Sequence, residues 1–244
     1  MNRTYNVIDC ETTDMTDNAE LLEIASCLVT LDMSRKTVVG EPVAELFKSE
    51  GPIAPDARAV HHISPAMVRD RFPATGDDRM RFVHRKDQDA PVSIVVAHNI
   101  EYEMRFFKRE IGDLPILCTH KAALRVFPEA PSHKNGALYY WLLEREMIPD
   151  LGDACQPMHR AGPDTLITAH LLAVLLQNAT TQEMLSWTQE HRVLPTCPIG
   201  EWKGKPWHDV EHSFLRWMVN KNGMEDELKW NAQREINRRA GRNT

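Results

Sequence analysis

Tyr5-Asn6-Val7-Ile8-Asp9-Cys10-Glu11-Thr12-Thr13 is the stretch from which the rest of this chain can be read. Tyr5 to Cys10 has the apolar, β-branched character of a buried strand. Side chains alternate faces along a strand, so Asp9 and Glu11 point one way and Cys10 points into the opposite layer. Two carboxylates side by side repel and raise each other's pKa unless a cation lies between them. Open α/β sheets keep their sites at strand ends, and an acidic pair there asks for a metal. A D-x-E run alone also describes a solvated strand end, so its partners must come from elsewhere in the chain.

Working outward, Leu21 to Leu31 and Thr37 to Phe47 read as two more strands, joined by the turn L-D-M-S-R-K into a meander. Gly51 to Ala59 reads as a Pro-containing connection. Ser64 is an N-cap for a short helix with Pro65 at its first position. Residues 76–90 are dense in charge and read as a solvated helix or loop. Val92 to Ala97 is a central strand apolar on both faces. A helix is expected over Ile100 to Glu110, a short edge strand over Leu114 to Cys118, and a helix capped by Thr119 through Val126. Further helices are expected over Ala137 to Arg145 and from near Pro163 to Gln177. The sum is an α/β fold: a mixed five-stranded sheet flanked by helices.

Three more groups carry chemistry. Asn99 ends the central strand and suits an N-cap, and Glu103 shares its helical face four residues on. Glu101 and Glu103 in a first turn also suit the helix dipole. Asp164 follows Gly162-Pro163 at a helix start. His159 precedes it on a loop, where an imidazole titrating near neutrality can serve as a general base. Asp9, Glu11, Glu103, Asp164 and His159 together are what hydrolysis of a phosphodiester with two bound metal ions requires.

These fragments resemble the three motifs of the DEDDh family of 3′–5′ exonucleases, which holds the proofreading epsilon subunits and RNase T. The D-x-E-T-T run matches Asp9 to Thr13, the A-H-N segment matches Ala97 to Glu103, and H-x4-D matches His159 to Asp164. Ala59 to Ser64 and Leu117 to Thr119 are further echoes, and the resemblance spans about residues 4–180. It implies an RNase H-like fold and release of nucleoside monophosphates from a 3′ end. It also implies two Mg²⁺ ions on Asp9, Glu11, Glu103 and Asp164, with Mn²⁺ able to substitute. His159 would deprotonate the attacking water. Thr12, Thr13, His98, Asn99 and Tyr102 would meet the terminal nucleotide. The family carries Asp where this chain has Glu103, one methylene longer, which bears on metal use and rate.

Composition is that of a globular chain, with a net charge of −6. Residues 188–244 carry ten Lys/Arg against eight Asp/Glu, so the negative excess lies before them. Local phosphate contacts rather than a long basic groove are expected. The N-terminus runs straight into the first strand with no signal-peptide pattern, and Leu166 to Leu176 is too short to cross a bilayer. The five cysteines are far apart with no C-x-x-C pair, which disfavours a disulfide framework and favours a reducing cytoplasm.

Composition shifts after about Trp187, so residues 1–187 are expected as the catalytic domain and 188–244 as a small module. Trp202, Trp207, Trp217 and Trp230 would form the module's core. Pro198 to Val210 and Phe214 to Met218 are similar to the piece that trails the catalytic domain in the exonuclease X branch of the family. Lys203, Lys205 and Arg216 are candidate phosphate contacts. His208 to His212 formally matches the H-x-x-E-H zinc pattern, in a segment with no peptidase-like surroundings. The expected activity is metal-dependent 3′–5′ trimming of DNA, single-stranded or frayed. The alternatives are an exoribonuclease of the same fold and a non-catalytic nucleic-acid-binding protein. A homodimer is one expected assembly.

Overall fold

The computed structural model describes residues 2–85 and 91–242. Two long strands, β1 (Arg3–Thr12) and β2 (Leu21–Leu31), pair antiparallel, setting Asp9 opposite Ala25 and Glu11 opposite Glu23. Two short strands, β3 (Thr37–Val39) and β4 (Val43–Leu46), both pair with β2. The sheet therefore has six strands rather than five. The single strand expected over Thr37 to Phe47 is broken at Gly40-Glu41-Pro42, where Pro42 has no N–H for the ladder. The Gly40 N–H is already spent on the Leu28 carbonyl at 2.8 Å.

Three helices follow: α1 (Pro55–His61), α2 (Pro65–Val68) and α3 (Gly76–His84). The stretch expected as a connection thus holds α1, whose Pro55 sits at a first-turn position that needs no N–H. Ser64 and Pro65 open α2 as expected. The charged run is helical through His84, and its residues 86–90 lie outside the described residues.

β5 (Ile94–Ala97) runs parallel to β1 on one side and to β6 (Ile116–Cys118) on the other. The sheet order is β3-β2-β1-β5-β6, with β4 beside β2. Helix α4 (Met104–Ile111) crosses between β5 and β6. Its start is four residues later than the expected Ile100, because Asn99 is not an N-cap but adopts a left-handed φ of 80°, a conformation Asn tolerates better than most residues. Then come α5 (Thr119–Val126), α6 (Asn135–Leu143), α7 (Ala161–Asn178) and α8 (Thr181–Gln189). Thr119 starts α5 rather than capping it; its hydroxyl lies 3.3 Å from the Ala97 carbonyl. Helix α8 is capped by Thr180, whose hydroxyl accepts the Glu183 N–H.

The alternation of β1 divides the core. Tyr5 and Val7 face a layer with Ile167, Leu171 and Leu175 of α7. Ile8 and Cys10 face Phe82 of α3 and Phe107 and Ile111 of α4. Asp9 and Glu11 continue the first face beyond the apolar packing, toward the N-terminus of α7.

Residues from 190 onward include α9 (His212–Asn220) and α10 (Asp226–Arg239), packed around Cys197, Val210, Leu215, Met218, Leu228 and Ala232. Only Trp202 and Trp207 of the four tryptophans pack on this cluster. Trp217 is 44% exposed, and Trp230 meets His191 and the Arg125 guanidinium instead. A core of aliphatic, Met and Cys side chains is enough for two short helices. All five cysteines are free and buried, and no described helix is long and apolar enough to cross a membrane.

Asn6 ties the sheet to α3. Its fully buried amide donates to the carbonyls of Phe82 and Val83 at 2.7 and 2.8 Å, satisfying the end of that helix. Asn6→Ala strands both acceptors and is expected to cost about 2 kcal/mol in chemical denaturation. An unchanged midpoint would show that α3 is held by packing alone.

Candidate active site

Asp9, Glu11 and Asp164 bring one carboxylate oxygen each to within 4.8 Å of one another. They line a cleft of about 530 Å³ together with Thr12, His61, His98, Asn99, Tyr102, Glu103 and His159. The strand supplies the first two acids and the first turn of α7 supplies the third. Water is thin here. Burial raises the pKa of Asp9 well above the usual range, reinforced by Glu11, Asp164, Glu103 and Glu23. Burial followed by Asp164 and Glu23 pushes Glu11 up to about 9, against a lowering pull from Arg160. Asp164 is raised by burial and lowered by His159.

Glu103 enters the same cleft from the turn before α4 but does not join the three-oxygen group. It is 3% exposed, and its Oε2 is buried with no hydrogen-bond partner. Burial pushes it up to about 8.

Two residues that sequence reasoning missed hold the acids in place. Glu23, across the ladder from Glu11, accepts Arg160 Nε at 2.8 Å, Arg160 Nη2 at 2.7 Å and the Ala161 N–H at 3.0 Å. This two-pronged pair, 5% exposed on the Glu23 side, clamps the start of α7 to β2. His159 immediately precedes Arg160 and has a left-handed φ of 60°. Its N–H reaches Asp164 Oδ1 at 3.3 Å, and its exposed ring has no hydrogen-bond partner among the described residues.

The other predicted positions divide. The Thr12 hydroxyl lies 2.6 Å from the Tyr102 hydroxyl and 2.8 Å from the Asp14 carbonyl. Thr13 does not line the cleft; its hydroxyl accepts the Glu20 N–H and its carbonyl accepts the Ala54 N–H. His98 donates from Nε2 to the His133 carbonyl at 2.8 Å, and its Nδ1 takes the Thr119 hydroxyl at 3.0 Å. Burial, then His120 and His133, push it down to about 3, so it is neutral. His61, an echo rather than a candidate site residue in the sequence, lies at the end of α1. Its Nδ1 accepts the Ile63 N–H, so Nε2 carries the proton and donates to the Thr12 carbonyl at 3.2 Å. The H-x-x-E-H segment gathers no metal-ligand group among the described residues.

The donor set fits a hard divalent cation. It offers carboxylate oxygens only, held in proton-retaining repulsion that a cation would relieve, beside a buried oxygen lacking any partner.

Residues 7–172 match the family model RNase T, described as exonuclease. The chain is 30% identical over 230 residues to Exodeoxyribonuclease 10 of Escherichia coli (strain K12), covering 91% of this chain and 94% of that one. It is 32% identical over 181 residues to a DNA polymerase III subunit epsilon-like protein of Rhodobacter capsulatus, covering 71% of this chain and 24% of that one. A solved structure of exonuclease X in complex with 5′ overhanging duplex DNA superimposes with a TM-score of 0.55 at 27% identity, over 75% of this chain and 99% of that one.

The raised carboxylates set a stability trend. Between the unfolded value of about 4.3 and the folded values of about 8 and about 9, Glu103 and Glu11 keep protons that the unfolded chain has lost. Their contribution to stability therefore falls as pH rises through that window. Without divalent ions the thermal midpoint is expected to drop from about pH 5 to about pH 9, and added Mg²⁺ to restore it most at the upper end. Glu11→Gln should flatten both trends; identical slopes in parent and variant would clear Glu11 of the effect. Separately, Glu23→Gln is expected to cost about 3 kcal/mol and to weaken Mn²⁺ binding, read by calorimetry, because Arg160 loses its countercharge.

Proposed function

The chain belongs to the RNase T exonuclease family, and from that membership we propose that this 3′–5′ exonuclease acts on DNA, taking single-stranded or frayed ends. The observation that carries the reading is the convergence of Asp9, Glu11 and Asp164 in one cleft with the orphaned oxygen of Glu103. Asp9, Glu11 and Asp164 would hold one Mg²⁺, and Glu103 would serve a second. Mn²⁺ can replace either, since all donors are carboxylate oxygens. The bound ions supply Lewis-acid polarisation of the phosphate and lower the pKa of water. His159 takes the proton of the attacking water at a ring nitrogen, for which its unpartnered ring is suited. Thr12 and Tyr102, hydrogen-bonded to each other, shape the wall against the terminal nucleotide, and Asn99 lies beside them.

The cleft volume suits a terminal nucleotide rather than a duplex. Met15 and Val60 line it while 75% and 46% exposed. Such apolar side chains can pack against an unpaired base but gain little from a paired one. DNA as substrate is supported by the deoxyribonuclease relative, which matches over nearly the whole of both chains, and by the DNA-bound structural neighbour.

3′-labelled DNA and RNA of one sequence, digested side by side with Mg²⁺, test the reading. DNA is expected to be trimmed faster, and Asp9→Ala to lower the rate by more than about 10²-fold. His159→Ala is expected to lower kcat by about 10²-fold or more with KM held, as befits a group acting on the proton in flight. Faster trimming of RNA would reverse the substrate assignment, and no metal-dependent release from either strand would leave a nucleic-acid-binding protein.

A further inference from the structure

We propose that the cleft between α9 and α10 is a second nucleic-acid site, one that grips the phosphodiester backbone of a strand whose 3′ end occupies the active site. The proposal rests on the exonuclease reading but not on the preference for DNA. The cleft measures about 500 Å³ and is lined by Arg216 from α9, Arg239 from the end of α10, and Arg242 just beyond, with His212, Asn220 and Gln233. No acidic side chain lines it among the described residues.

Its cations are of two kinds. Arg239 is fixed, donating to the carbonyls of Trp207, His208 and Val210 at 3.0, 3.2 and 2.7 Å. It shares the single carboxylate of Glu235 with Arg238, so two guanidiniums meet one negative charge. The guanidiniums of Arg216 and Arg242 make no ion pair or hydrogen bond among the described residues, so their N–H donors are available. A guanidinium presents a planar fork that matches phosphate oxygens. Such a grouping is unexpected on a chain of net charge −6 unless an anion is its target, because the overall field repels polyanions and affinity must be local. Lys203 and Lys205, expected beside Arg216 as phosphate contacts, do not line this cleft.

The same helix adds an aromatic surface. Trp217 is 44% exposed, and the Lys221 ammonium lies 4.4 Å from its ring centre. Cationic donors beside an exposed ring are the combination that holds single strands, by backbone charge and base stacking together. An acidic partner protein would use the charges and leave the ring idle.

Full-length protein with Asp9→Asn, which blocks turnover, allows binding of a long single strand to be measured against salt. Arg216→Ala/Arg242→Ala is expected to weaken binding about ten-fold and to make the log–log salt slope shallower by about 1.4, near 0.7 for each phosphate no longer neutralised. Arg216→Lys/Arg242→Lys should keep most of the slope, which excludes misfolding as the cause. With Asp9 intact, the loss should appear in KM for the long strand rather than in kcat. DNA and RNA should lose affinity alike, since the phosphate is common to both. Unchanged affinity and slope in the alanine variant would overturn the cleft's assignment while Mg²⁺-dependent trimming by the parent continued. Loss of trimming in the parent would instead refute the exonuclease reading.

Discussion

Carboxylates gathered out of bulk water repel one another, and the architecture around this cleft serves to contain that repulsion. Strand alternation forces Asp9 and Glu11 onto one face, and the packing of α7 along the same face of β1 brings Asp164 to them. Asp9 and Glu11 are fixed by the β1–β2 ladder, opposite Ala25 and Glu23, and Asp164 by the first turn of α7. A protein that builds such a group at a cost in stability without cations gains a site already shaped when cations arrive. The Arg160–Glu23 pair fixes the helix turn carrying Asp164 to β2; within it Arg160 lowers Glu11, while Glu23 adds to the repulsion felt by Asp9, Glu11 and Asp164.

Histidine use around the cleft follows from hydrogen-bond supply. His61 spends both nitrogens on backbone groups, and His98 spends its pair on a carbonyl and a hydroxyl. Burial lowers the pKa of both, so they are neutral struts that cannot exchange protons with substrate. His159 differs because its loop takes a left-handed turn and holds Asp164 through the backbone N–H, which leaves the imidazole uncommitted. The division between strut and candidate base is thus made by what surrounds each ring, not by residue type.

Much of this was legible in sequence because it is local. The alternation of Asp9, Cys10 and Glu11, the apolar run of the central strand, and the helix after Pro163 depend on near neighbours. What was not legible depends on distant partners or on backbone detail. Glu23 reads as a polar interruption in a strand until Arg160, 137 residues away, is seen to meet it. Thr13 looks like a substrate contact by its place in the motif, yet Glu20 and Ala54 claim its polar atoms. The break at Gly40-Glu41-Pro42 is written in the chain, in a proline that has no N–H for a ladder. Asn99 reads as a cap in sequence because Asn is good at both tasks, capping and left-handed turns.

Glu103 shows how one methylene can be accommodated without abandoning a site. Its carboxylate lies in the cleft outside the oxygen group of Asp9, Glu11 and Asp164, while its charge still raises Asp9. Its Oε2 is left buried with nothing to accept from. An unpaired buried acceptor is costly, and burial has already raised the group to about 8. Near neutrality it is therefore largely protonated until a cation displaces the proton. On the proposed two-ion reading, a cation at either place would displace protons, from Asp9 and Glu11 in the three-oxygen group and from Glu103 beside it, and the one among the three oxygens would also relieve their mutual repulsion.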